Sequence, residues 1–127
     1  MKVLVFGNPL VPEDSLALKV AEKLAGKFEF KILDAVEDIE SEGRNLVILD
    51  VAEGIGKATL LESLDALQTN PVYSMHDFDI SLTLKLLKKI GKLDSVKIVA
   101  IPKNYGLEKA AKEAEVILRS ILPSKSS

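Results

Sequence analysis

Asp14, Asp50 and His76 are the residues whose types and spacing could do chemistry together. Each follows or closes an apolar run that reads as a strand, and His76 is the one histidine among 127 residues. In an open α/β sheet the carboxyl ends of parallel strands share an edge, so side chains distant in sequence can meet there. Two carboxylates and an imidazole make a mixed oxygen and nitrogen donor set. Such a set suits a borderline divalent ion such as nickel or zinc. Each residue also has a plainer explanation. Asp14 can cap a helix. Asp50 can order the Gly54-Ile55-Gly56 turn, with Glu53 as the exposed partner. His76 can face solvent near a helix start.

The elements that must position these residues are readable from pattern. Residues 2–6 form a near-continuous apolar run, as expected of a strand covered on both faces. Gly7-Asn8-Pro9 ends it and opens a loop. A helix is expected from about Glu13 or Asp14, with Pro12 suited to its start and the acidic pair to the positive end of its dipole. Ala17, Val20, Ala21 and Leu24 recur at helical spacing, and Gly26 is expected to close that helix. Residues 28–33 alternate apolar and polar, a strand with one wet face. Residues 34–42 are acidic and read as a connection with a helical turn, followed by Gly43. Leu46-Val47-Ile48-Leu49 is a second buried strand ending at Asp50.

Residues 58–67 read as a strand or hairpin, with a helix left open, and residues 69–77 as a loop. Ile80, Leu84, Leu87 and Ile90 define the inner stripe of a further helix. Asp77 or Asp79 can cap it and Gly91 ends it. Residues 96–101 form a third buried strand, closed by Pro102. The last helix covers about residues 107–122, with Leu107, Ala110, Ala114, Ile117 and Ile121 inward. The order predicts an α/β fold, a three-layer α/β/α sandwich with a mostly parallel twisted sheet. It is expected to be a single domain over residues 1–123, with a disordered polar tail at 124–127.

Composition removes several function classes. There are no cysteines, so disulfides, thiolate metal sites and a cysteine nucleophile are excluded. The net charge is −2, which gives no strong field toward nucleic acid or anionic lipid. Without Trp, and with two Tyr and four Phe, the chain offers no base-stacking platform. No apolar run approaches the ~20 residues of a membrane span. The apolar start is cut off by Gly7-Asn8-Pro9 too early for a signal peptide. A cytoplasmic monomer that binds neither nucleic acid nor membrane is expected. The loop after the first strand lacks both the dinucleotide fingerprint and the P-loop pattern, and Glu13 and Asp14 would repel phosphate. Ser74 and His76 lack the Gly-x-Ser-x-Gly elbow of a serine hydrolase.

Taken in order, these segments resemble the nickel–iron hydrogenase maturation endopeptidase family. Val3-Leu4-Val5-Phe6-Gly7-Asn8-Pro9-Leu10 is similar to that family's first strand and Gly-Asn loop. Leu46-Val47-Ile48-Leu49-Asp50-Val51 resembles its strand ending in Asp-Ala, and Ser74-Met75-His76-Asp77 its Ser-x-His segment before a helix. The resemblance runs over roughly residues 1–122. It implies that Asp14, Asp50 and His76 form the catalytic and metal-binding set of an aspartyl-type endopeptidase (a hydrolase). It implies removal of a C-terminal extension from a hydrogenase large-subunit precursor, with nickel brought by that precursor. One departure stands out. The family's Gly-Asp-Asp/Glu-Gly-x-Gly is here Pro12-Glu13-Asp14-Ser15-Leu16-Ala17, with its three glycines replaced. This marks a divergent member, and keeps open a non-catalytic binding module that recognises a metalloprotein partner on the same scaffold.

Overall fold

The computed structural model describes residues 2–5, 12–33, 36–62, 74–75 and 78–122, and of residues 12–14, 36–38, 53, 74–75 and 78–83 the backbone alone. The elements run β1 (Val3–Val5), α1 (Pro12–Leu24), β2 (Phe30–Ile32), a 3-10 helix (Val36–Glu42), β3 (Asn45–Glu53), β4 (Thr59–Leu61), β5 (Ser74–Met75), α2 (Phe78–Lys89), β6 (Ser95–Pro102) and α3 (Leu107–Ile121). The sheet order is β2-β1-β3-β6-β4, with β5 paired to β3. β2, β1, β3 and β6 are mutually parallel, whereas β4 and β5 are antiparallel to their neighbours. The longest ladder joins β3 to β6, from Asn45↔Ser95 to Ala52↔Pro102.

Strand alternation divides the core into two layers. Val3, Val5, Val47, Leu49, Val51, Val99 and Ile101 face α1 and α3, where Ala17, Val20, Ala110, Ala114 and Leu118 meet them. Leu4, Leu46, Ile48, Val96, Ile98 and Ala100 face the other way, onto Ile39 of the 3-10 helix and Leu84 and Leu87 of α2. Helices therefore cover both faces, which explains why β3 and β6 read as largely apolar, interrupted inside by Asp50 and Lys97. The expected α/β/α sandwich is the observed architecture.

Several expectations shift in detail. Pro12 is itself the first residue of α1, so Asp14 lies inside the first turn and not at the cap before it. Gly26 does not close α1 in a left-handed conformation; the helix ends at Leu24, whose carbonyl accepts the N–H groups of Lys27 and Phe28 at 2.9 and 3.1 Å. Gly91 does close α2, at φ 79°. There Lys92 N–H reaches the Leu87 carbonyl (2.9 Å) and Gly91 N–H the Lys88 carbonyl (3.2 Å), the paired bonds of a Schellman turn. Ile90 is 56% exposed despite its place in the stripe, because the helix stops one residue earlier and Leu93 fills the core instead.

The segment expected as a loop over 69–77 contains a strand, β5, because β3 runs on past the end of β1 and leaves backbone groups there to pair. In 58–67 the strand reading holds for Thr59–Leu61. Residues 63–67, Asp77 as a cap, and the tail at 124–127 lie outside the described residues.

Candidate functional site

Strand order locates the crevice where an α/β sheet binds ligands. From β1 the chain moves outward to β2, then returns to lay β3 on the other side of β1. The strand order thus reverses between β1 and β3, and ligands bind outside the carboxyl ends of strands at such a reversal. The β1 ladder to β3 stops at Val5↔Leu49. On the same side of β3, β5 begins at Ala52↔Met75. Positions 50 and 51 fall between these two ladders.

Asp50 occupies that gap. It is 1% exposed and is the one buried charged residue among the described residues. On its other side it pairs with Ala100 of β6. Alternation directs its side chain to the face of Ile48 and Ala52, beneath α2. Moving a carboxylate into such a place costs several kcal/mol, roughly, unless groups around it compensate the charge. An acid at this place in the strand is a candidate for the chemistry of the crevice.

The other two candidates stand differently. Asp14 lies in the first turn of α1, the helix that follows β1, and the backbone alone is described there. α1 covers the face opposite to the one Asp50 points toward. The two acids can therefore meet only around the carboxyl end of β1, not through the sheet. His76 lies outside the described residues; the residue before it, Met75, sits two positions along β3 from Asp50 in register. Among the described residues no three His, Cys, Asp or Glu side chains form a metal-sized group.

A second polar cluster lies at the same edge and was not visible in the sequence. The Glu113 carboxylate on α3 accepts the Ala58 N–H at 3.0 Å and the Tyr105 O–H at 2.8 and 2.9 Å. The bond from Ala58, then that from Tyr105, holds the Glu113 carboxyl below the usual carboxylate range. Burial, then the bond to Glu113, pushes the Tyr105 phenol up. Lys109 rests its ammonium 5.0 Å from the Tyr105 ring centre. The cluster ties α3 to the connection that carries the chain from β3 over the end of β6 to β4. Its partners are 55 residues apart, beyond the reach of any local pattern.

No protein-family model matches the chain, and no curated protein matches it in sequence. Two solved structures match over nearly its whole length. One is the hydrogenase maturating endopeptidase HybD from Escherichia coli, at 19% identity and a TM-score of 0.61, covering 94% of this chain and 93% of that one. The other is the solution structure of an endopeptidase from Escherichia coli, at 20% identity and a TM-score of 0.62, covering 98% of this chain and 96% of that one. The chain shares its fold with the hydrogenase maturating endopeptidase HybD. This agrees with the resemblance carried by the strand and loop segments of the sequence. At these identities the likeness speaks of architecture, and the chemistry must be argued from the site.

Proposed function

We propose that this chain is a peptidase that removes the C-terminal extension of a nickel-loaded nickel–iron hydrogenase large-subunit precursor. The observation that carries the proposal is Asp50, an acid sealed at the carboxyl end of the central strand, at the crevice where this topology binds ligands. The likeness in fold to two endopeptidases supports it. Asp14, Asp50 and His76 are the residues assigned to hold the nickel that arrives with the substrate. Two oxygens and one ring nitrogen leave coordination positions for the substrate's own ligands. The ion supplies Lewis acidity at the scissile region. The chain itself supplies a dry carboxylate on a rigid strand at the strand-order reversal. The working state is a cytoplasmic monomer; no described helix is long and apolar enough to cross a membrane.

The test is incubation of the protein with nickel-loaded precursor, followed by mass measurement of the large subunit. A subunit shortened at its C-terminus is expected, with the reaction lost in Asp14→Ala and His76→Ala. A precursor of unchanged mass after prolonged incubation with folded protein sinks the proposal.

A second reading draws on α1. Its helix runs unbroken from Pro12, and Ala17, where the resemblance expects a glycine, is fully buried in the core. A first turn built this way has less freedom than a glycine loop. It favours a non-catalytic module that recognises the metalloprotein without cutting it. Co-migration of the two proteins with no change in subunit mass would select that reading.

A further inference from the structure

We propose that the groove between α3 and the β3–β4 connection docks an acidic segment of the substrate protein, one with a large apolar residue at its centre. The proposal rests on the peptidase reading above and adds a second, non-catalytic contact to it. The groove encloses about 510 Å³ and is floored by Ala58, Val116 and Ile117. Val116 is 66% exposed, a large apolar side chain left open at the surface of an otherwise well-divided core. Lys57, Lys109 and Lys112 line the same groove, each on an exposed residue.

Charge decides the occupant. The one acid among the described residues lining the groove, Glu113, accepts the Ala58 N–H and the Tyr105 O–H on its carboxylate. It serves to fasten the two walls together. What remains toward solvent is the ammonium groups of Lys57 and Lys112 beside an apolar floor, while that of Lys109 lies over the Tyr105 ring. A basic segment would be repelled. A purely apolar one would leave the rim unused. An acidic segment with a central Leu, Ile or Phe matches both features, with the apolar residue supplying contact area and the acids supplying rate and register.

Position ties the groove to the crevice. Thr59, next to Ala58, and Asp50 both pair with Ala100, so they stand at one level of the sheet. Two strand spacings separate them, roughly 10 Å. The groove opens on the α3 face and Asp50 points to the other, so a polypeptide joining them passes over the carboxyl end of β6. At about 3.3 Å per extended residue, that path needs about four residues or more between the docking segment and the cut.

Two short synthetic peptides of equal length and the same apolar centre test this, one flanked by Asp and Glu, the other by Lys. Fluorescence anisotropy is read with wild-type protein, the double variant K57E/K112E and Val116→Asp, each checked for an unchanged melting curve. Wild type is expected to bind the acidic peptide and not the basic one, and added salt should weaken it. K57E/K112E should lose about tenfold, as reversal of two rim charges does. With nickel-loaded precursor the same variant should raise KM by a similar factor and leave kcat alone. Equal binding of both peptides, or no binding of either, overturns the proposal. Charge-dependent peptide binding by a wild-type protein that leaves the precursor intact removes the peptidase reading and keeps the groove.

Discussion

The two ends of this sheet each shield a carboxylate from water, and they treat it differently. At the amino end Glu42, whose side chain is 5% exposed, sits between Lys31, whose Nζ donates to it at 2.7 Å, and Lys2, at 3.5 Å. The lysine bond outweighs burial and draws the Glu42 carboxyl below its ordinary range. Close by, Arg44 grips Asp94 through two nitrogens, at 2.9 and 3.0 Å, and donates to the Gly91 carbonyl. These contacts stitch the 3-10 helix, β1, β2 and the α2–β6 turn together. At the carboxyl end Asp50 is 1% exposed and stands where the ladders of β1 and β5 leave β3. The same chemical group is a clasp at one end and a candidate for reaction at the other. Topology makes the difference, because connections at the amino end close the fold while the strand-order reversal opens at the carboxyl end.

Asp50→Asn offers the largest effect and the sharpest way to break the contrast. It keeps the shape of the side chain and removes the charge. If Asp50 is a ligand to the incoming nickel, precursor cleavage should fall by at least about a hundredfold, since even residues behind a ligand contribute ten- to a hundredfold. The melting temperature should hold or rise, because a buried charge carries a desolvation cost that the amide does not. A large fall in melting temperature with cleavage intact would make Asp50 a clasp like Glu42, and the contrast would dissolve.

The contrast was only half legible in the sequence. β3 and β6 announce themselves because both faces are covered and most inner positions are apolar, so the acid at 50 stands out against its run. α1 and α3 are legible because their stripes are long. β5 is not, since two residues carry no period, and it pairs because β3 happens to extend past β1. Ile90 follows the helical period and is exposed all the same; the Schellman turn at Gly91 ends the helix before the period is spent. Glu42 reads as one acid in an acidic run, and only the fold brings Lys2 and Lys31 to it. The Ala58–Glu113–Tyr105 cluster is hidden for the same reason.

Gly91→Ala gives a middle-sized effect confined to the amino end. Gly91 holds φ at 79°, and a Cβ there meets nothing within 4 Å, so the cost is backbone strain alone. Stability should fall by about 1 kcal/mol, read as a lower denaturation midpoint at unchanged slope. Cleavage measured well below the melting temperature should not change. Lost cleavage in a folded Gly91→Ala protein would mean that the two ends are coupled.

The smallest effect is in the pH dependence of stability, and it belongs to the amino end. The Glu42 carboxyl is lowered first by the Lys31 bond, and that of Asp94 first by the Arg44 bond. A carboxyl lowered in the folded state binds fewer protons there than in the unfolded chain. Its contribution is therefore complete above the ordinary carboxylate value of about 4 and drains away as pH falls through the lower folded value. The melting temperature of wild type should thus decline as acid is added below about pH 4. Glu42→Gln should begin from a lower melting temperature at neutral pH and decline less steeply, because that carboxylate no longer takes up a proton. Added salt should narrow the gap between the two proteins, since the lysines at 45% side-chain exposure are open to screening. Parallel acid curves for wild type and Glu42→Gln would show that the lysine pair does not hold Glu42 more tightly in the folded state than in the unfolded chain, and the amino end would lose its clasp.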